Sequence, residues 1–241
     1  MNETVQWILL VVLAFLPPII YAVWIRNTER YQRQQWLSIF LCFLWGATIA
    51  VVAAVILEVV LEIPLALSQQ NEAMTSLLIV VIIAPVVEEF TKPLALSLRS
   101  VKKEINEYED GLIYGAIAGL GFSATENLLY GWSFLSEGFV MFLVLMGIRS
   151  FGGCLLHASA TALTGYGYGK ALLKQKTLLR VIPYLAIAII VHGTYNFLLT
   201  YNLPGLLSGF FLAMLFVVIM IGFVRKKIRA LDQQPTTPPS L

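Results

Sequence analysis

Seven apolar runs, at about residues 4–25, 36–60, 74–98, 111–132, 139–169, 180–201 and 204–224, take up most of this chain. A helix rises about 1.5 Å per residue and the hydrocarbon core of a bilayer is about 30 Å thick, so each run is long enough to span it. In lipid the backbone must satisfy its own polar groups, which for runs of this length means helices. The expected fold is an all-α, polytopic transmembrane bundle of about seven spans. Of the 241 residues, 59% are hydrophobic and only 12% charged, which excludes a soluble core and leaves no room for a separate soluble domain. A single integral-membrane domain over residues 1–229 is expected, followed by a Pro/Thr/Gln-rich disordered cytoplasmic tail at 230–241.

The basic residues sort the connections. Arg26, Arg30 and Arg33 follow the first run, and Arg99, Lys102 and Lys103 the third. Lys170, Lys174, Lys176 and Arg180 follow the fifth, and Arg225, Lys226, Lys227 and Arg229 the seventh. The other three connections carry neither Lys nor Arg. Under the positive-inside rule the N-terminus is outside and the C-terminus cytoplasmic. The first run has no basic residue ahead of it and no small-residue cleavage site, and reads as a retained helix. Pro17–Pro18 should kink it. The fifth run is too long for one upright span, so it tilts or begins along the outer interface. Cys42 and Cys154 fall in apolar runs, which argues against a disulfide framework or a Cys metal site. Gly111, Gly115 and Gly119 form a small-xxx-small stripe for close helix packing, with Gly121 beside it. Thr164 to Gly169 alternates Gly and Tyr, but a potassium filter needs four such loops around a pore.

Charges at membrane depth are costly and mark function. The third run holds Glu88, Glu89 and Lys92; later runs hold Glu126, Arg149, His157 and His192, with Asn196 one turn after His192. Both histidines of the chain are therefore intramembrane. Counting rise from the run ends, Glu88 and Glu89 lie about 20 Å below the outer side. His192, Glu126 and Asn196 lie about 18, 22 and 24 Å above the inner side. His157 reaches a similar depth if its run enters the slab near residue 146, leaving Arg149 near the outer interface. These groups can share one layer. Glu58 and Glu62, by contrast, read as a solvated helix end, and Tyr130 as an interface aromatic.

Two imidazoles with carboxylates suit a zinc-type ion, which acidifies bound water and polarises a carbonyl. On that reading Glu126, His157 and His192 are the metal ligands and a spare Glu is the general base. Without metal, a Glu can still activate water, with His192 and Asn196 stabilising the oxyanion. Lys92 pairs with Glu88 or Glu89 and fixes their geometry; Arg149 either orients a site carboxylate or reaches the outer interface. No Ser sits in a GxSxG context. Asp occurs only at 110 and 232, which excludes aspartyl chemistry within the membrane.

These residues carry a resemblance. Glu88-Glu89-x-x-Lys92, Asp110-Gly111-x-x-Tyr114-Gly115 and Gly119-x-Gly121-Phe122-x-x-x-Glu126-Asn127-x-x-Tyr130 resemble motifs of the PrsW family of intramembrane proteases. Arg149, His157-Ala158, Gly165-Tyr166 and Gly169, then His192-Gly193-x-x-Asn196-Phe197, are similar to its later motifs. The match covers about residues 80–200. The family is more distantly similar to CAAX prenyl endopeptidases and bacteriocin-processing enzymes, generally treated as metal-dependent, in which a His stands where this chain has Glu126. The resemblance implies an endopeptidase with Glu88, Glu89, Glu126, His157, His192 and Asn196 at its centre. It implies a single-span membrane protein as substrate, such as an anti-sigma factor, cut near the outer boundary. It also implies a place in the bacterial plasma membrane and no nucleic-acid partner. Two other classes compete: a proton-coupled transporter, for which the chain lacks an internal repeat, and a non-catalytic scaffold of the same superfamily, which would not need the Glu pair.

Overall fold

The structure is a computed structural model that describes residues 2–67, 71–201 and 206–232. Seven long helices follow one another, and no strand occurs among the described residues. They are α1 (Glu3–Arg26), α2 (Trp36–Leu65), α3 (Glu72–Ser97), α4 (Tyr108–Phe134), α5 (Phe139–Leu173), α6 (Leu178–Thr200) and α7 (Leu206–Asp232). The expected all-α polytopic membrane architecture is what the chain adopts. Six of the helices are long and apolar enough to cross a membrane. The seventh, α4, has the length, at 27 residues, but not the hydropathy. Its Gly, Ser, Thr, Glu and Asn are tolerated because neighbours cover it: Glu109 to Ala124 are buried without a gap. α1 runs unbroken through Pro17 and Pro18, and α5 is one continuous helix of 35 residues. Of the tail expected at 230–241, residues 230–232 continue α7 and the remainder lies outside the described residues.

α4 is the hub, with α1, α2 and α5 packed on it. The glycine stripe explains how closely. Gly111 and Gly165 face each other across α4 and α5, Gly115 abuts the Thr161 carbonyl, and Gly119 abuts that of His157. On the opposite side Gly121 meets Phe43 of α2 and Gly46 of α2 meets Ala118. Without Cβ atoms the backbones touch, and dispersion and polar contacts replace the hydrophobic drive that lipid cannot supply. The outward faces of the surrounding helices carry exposed Ile8, Ile19, Phe40, Val59, Ile190 and Leu215, as lipid requires.

Three helices open into a single wide turn of π geometry, at Gly46–Ala50 in α2, Ile79–Ile83 in α3 and Arg149–Gly153 in α5. Each has a local cause or remedy. Pro85 lacks an N–H and would clash with the Val81 carbonyl in a regular helix, so the turn before it widens. Gly152 and Gly153 loosen the third. The carbonyls freed by such turns need donors. Ala47 O accepts from Thr125 Oγ1 (2.6 Å) and Val80 O from Asn196 Nδ2 (2.9 Å).

The Lys/Arg-rich ends meet on one face of the bundle. Arg26 Nε donates to Gln34 O (2.8 Å), and Gln34 Nε2 donates to the Glu29 carboxylate and to Asp110 Oδ1 (2.9 Å). Asp110 also accepts from the backbone N–H of Asn106 (2.7 Å) and Glu107 (2.8 Å), capping α4. Asp232, at the end of α7, accepts from the N–H of Arg30 and Tyr31.

Candidate active site

The polar residues inside the membrane converge. A cavity of about 430 Å³ is walled by α2 to α6 and is lined by Glu88, Glu126, Arg149, His157, His192 and Asn196. Glu88 comes from α3 just beyond its wide turn, Glu126 from α4, Arg149 and His157 from α5, and His192 and Asn196 from α6. Of the expected set, Glu89 and Lys92 do not line the cavity but lie directly behind it.

Lys92 is fully buried, at the point where α3 tightens to a 3-10 turn ahead of Pro93. Its ammonium donates to Glu88 Oε2 (2.7 Å), Glu89 Oε1 (2.9 Å) and His157 Nδ1 (2.8 Å), and sits over the Phe122 ring at 4.4 Å. All three of its N–H bonds are thus used. Because Lys92 has donors only, Nδ1 of His157 accepts, and the ring proton falls on Nε2. That nitrogen faces Glu126 Oε2 at 2.7 Å. Glu126 is held from its other side by Arg149 (2.8 Å), whose Nε donates to Asn127 Oδ1 (2.9 Å) and whose guanidinium stacks on Tyr130 at 4.1 Å. Arg149 therefore orients a site carboxylate, and Tyr130 is the surface on which it rests.

The two adjacent carboxylates of α3 are not equivalent. Glu89 is wholly buried, its Oε1 shared by Lys92 and His192 Nδ1 (2.9 Å) and its Oε2 accepting from Thr161 Oγ1 (2.9 Å). A carboxylate on one imidazole nitrogen sets the tautomer and leaves the other nitrogen's lone pair available. For His192 that is Nε2, with no hydrogen-bond partner among the described residues. The two imidazoles lie edge to face with centroids 5.0 Å apart. Glu88, one residue earlier, is tied only to Lys92 among close partners and opens on the cavity.

Several members were not foreseen. Glu58 lines the cavity instead of standing at a solvated helix end, and its carboxylate has no hydrogen-bond partner among the described residues. Thr161 lies one turn beyond His157, a spacing that was available as a signal. Asn127, adjacent to Glu126, was seen only as part of a motif. Asn196 lines the cavity, but its amide nitrogen is engaged by the Val80 carbonyl of the wide turn in α3. Gly193 allows that approach: a Cβ there would stand 2.5 Å from Val81 O.

The donor set fits a divalent ion. Glu88, His157 and His192 each offer a ligand atom within 4.8 Å of the others, a carboxylate with two imidazoles as zinc sites use. This differs from the expected trio in one member, Glu126 being held by Arg149 and His157; Glu88 and His157 Nδ1 are bonded to Lys92, whose ammonium would have to release them to an ion. Charge points the same way. Glu88, Glu89 and Glu126 face or back the cavity against Lys92 and Arg149 among the described residues, an excess of negative charge that a cation offsets.

The family model of the PrsW family intramembrane metalloprotease matches residues 34–223, which contain every residue named above as part of the site. The chain is similar to Protease PrsW of Clostridioides difficile (strain 630), 30% identical over 195 residues, 79% of this chain and 79% of that protein. It is also similar to Protease PrsW of Bacillus subtilis (strain 168), 35% identical over 107 residues, 39% of this chain and 41% of that protein. No solved structure matches it.

Proposed function

Since the chain belongs to the PrsW family of intramembrane metalloproteases, we propose that its cavity hydrolyses a peptide bond of a single-span regulatory membrane protein, such as an anti-sigma factor, near the outer boundary. One observation carries this reading: carboxylates and imidazoles from five helices meet on a single cavity of about 430 Å³ inside a membrane bundle. The cavity runs from Glu88 and His157 past apolar Val51, Val55, Leu145 and Ile148 to Glu58, Leu129 and Leu199, near the helix ends opposite the Lys/Arg-rich face. An apolar segment can lie against these walls with its backbone at the polar end.

Glu88, His157 and His192 would hold a zinc-type ion, which supplies an acidified water and a polarised carbonyl. The chain's own groups do the rest. Glu126, the carboxylate on the wall beside His157, accepts the proton of the attacking water, with Arg149 and the His157 N–H fixing its orientation. Glu89 holds His192 through Nδ1, so that Nε2 is presented to the cavity. Lys92 bonds Glu89 behind the site and fixes its placement. Asn196 bonds the wide turn that delivers Glu88, so we assign it positioning of α3 rather than contact with the oxyanion.

A second reading rests on Lys92. Its ammonium already bonds Glu88 and His157 Nδ1, which puts a cation among the same groups, and Glu88 alone would then activate water. The deciding experiment measures bound metal on detergent-purified wild type, His157→Ala and His192→Ala, together with cleavage of a single-span substrate with and without chelator. Near-stoichiometric zinc, lost in both variants and accompanied by chelator-sensitive cleavage, supports the metal-assisted reading. Cleavage that survives chelation, with no bound metal, overturns it in favour of Glu88 alone. Absence of both metal and cleavage across a panel of single-span substrates counts against hydrolysis.

A further inference from the structure

A second recess, of about 610 Å³, lies on the Lys/Arg-rich face between the end of α5 and the start of α6. Lys170 and Lys174 line it from α5, Lys176 and Arg180 from the connection and the first turn of α6, and Tyr184 from α6. No carboxylate lines it, and none of the four cations has an acidic partner among the described residues. Lys170 Nζ donates to the Tyr184 hydroxyl at 3.1 Å. Gly167 makes this possible: a Cβ there would stand 2.5 Å from the Tyr184 ring, so the ring lies flat on α5 with its hydroxyl beside the ammonium.

The turn that carries two of the cations is fixed. Gln175 takes a left-handed conformation at φ 49°. The Lys176 N–H bonds Ala171 O (2.8 Å) and the Gln175 N–H bonds Leu172 O (2.9 Å). That is the double closure that ends a helix in a Schellman motif, and it holds Lys174 and Lys176 in one relative placement. Below the cations the lining becomes apolar at Pro183 and Ile187, and exposed Ile190 continues the strip along α6.

We propose that this recess binds one anionic phospholipid. Its phosphate lies among Lys170, Lys174 and Arg180, and its acyl chains lie along Pro183, Ile187 and Ile190. Like charges gathered in a concavity without counter-ions favour an anion. A cationic mouth over an apolar strip at the membrane boundary has the polarity of a phospholipid and of no soluble anion. Positive-inside bias puts Lys and Arg on the cytoplasmic side, where anionic headgroups attract basic segments. It does not by itself require that they converge on a recess. The assignment is independent of the protease reading.

The test is lipid binding by the delipidated full chain in detergent, read by native mass spectrometry and by melting temperature. Dioleoylphosphatidylglycerol, dioleoylphosphatidylcholine and inorganic phosphate are compared. We expect one tightly held phosphatidylglycerol, a raised melting temperature with that lipid alone, and no effect of inorganic phosphate. The triple variant K170Q/K174Q/R180Q should bind it at least about tenfold more weakly, while R99Q/K102Q/K103Q, which loses equal charge elsewhere, keeps the affinity. Equal binding of phosphatidylcholine, an undiminished affinity in K170Q/K174Q/R180Q, or an equal loss in the control variant overturns the proposal. So does saturation by inorganic phosphate without lipid preference. Should K170Q/K174Q/R180Q fail to fold, photo-crosslinking of wild type with a photoactivatable phosphatidylglycerol decides. Labels on peptides spanning residues 170–190 support the site, and labels elsewhere refute it.

Discussion

Replacing Gly119 by Ala tests whether the packing of α4 on α5 sets the catalytic geometry. A Cβ at Gly119 would stand 2.7 Å from the carbonyl carbon of His157, closer still to its oxygen, and 3.0 Å from Thr161 Oγ1. Real Cβ atoms essentially never come nearer than 3.0 Å, and the main obstacle is backbone, which cannot rotate aside. α4 and α5 must therefore separate by several tenths of an ångström at the level of the site. Glu126 travels with α4, while His157 and Thr161 travel with α5, so the 2.7 Å Glu126–His157 contact and the Thr161–Glu89 bond are strained together. Overpacking of this kind costs about 1–3 kcal/mol of stability, and a misplacement approaching 1 Å costs about 100-fold in rate. The assay is the initial cleavage rate of a single-span substrate by reconstituted protein, with melting temperature measured on the same samples. Gly147→Ala and Gly222→Ala, where an added Cβ meets nothing within 4 Å, should cleave like wild type. If Gly119→Ala cleaves within about threefold of wild type, the stripe is packing alone, and the coupling of helix separation to catalytic alignment is wrong.

Lys92→Leu strands Glu88 and Glu89 in a buried site, so it should destabilise by about 3–5 kcal/mol as well as inactivate; a stable, active variant would refute the pairing role. Glu88→Gln and Glu89→Gln should both abolish cleavage. The first should lose the metal outright, whereas the second should hold it more weakly through a loosened His192, by about 10–100-fold as read in a chelator competition; equal metal affinity in both would contradict the division of labour. On the basic face, burial pushes Glu29 up to about 7 from an ordinary 4.5, with the Gln34 hydrogen bond opposing and the Asp110 charge reinforcing. For an acid raised in the fold, the stabilisation is complete below 4.5 and is lost as the pH climbs through about 7. Wild-type melting temperature should fall over that window and Glu29→Gln should flatten the fall, so an unchanged slope in the variant would show that Glu29 is not its source.

The long helices and the shared layer of the polar groups were legible because both follow from length. Apolar runs mark helices, and counting rise from their ends put Glu88, Glu126, His157 and His192 in one layer, where the cavity lies. What each side chain touches was not legible. Nothing in the adjacent pair Glu88-Glu89 says which faces the cavity; that depends on the phase of α3 after its wide turn. Asn196 looked free to meet an oxyanion because the Val80 carbonyl it satisfies is exposed only by that same turn. Glu58 looked solvated because its place beside α3 and α4 is tertiary. α4 falls short of the others in hydropathy, since a helix enclosed by other helices need not match lipid.

The wide turns have an evolutionary corollary. A π turn holds one residue more than the α turn it replaces, so each is a site where chain length can change by one without rotating what lies beyond it. A homologue lacking one residue between 79 and 83, and without the proline that stands at 85 here, would close to a regular helix and still present its glutamates to the same cavity. One lacking a residue between 84 and 92 would turn them by about 100° around the helix axis, away from the histidines. Length variation among relatives of this chain is therefore expected to concentrate at residues 46–50, 79–83 and 149–153, and to be absent from the helical turns between these points and the site.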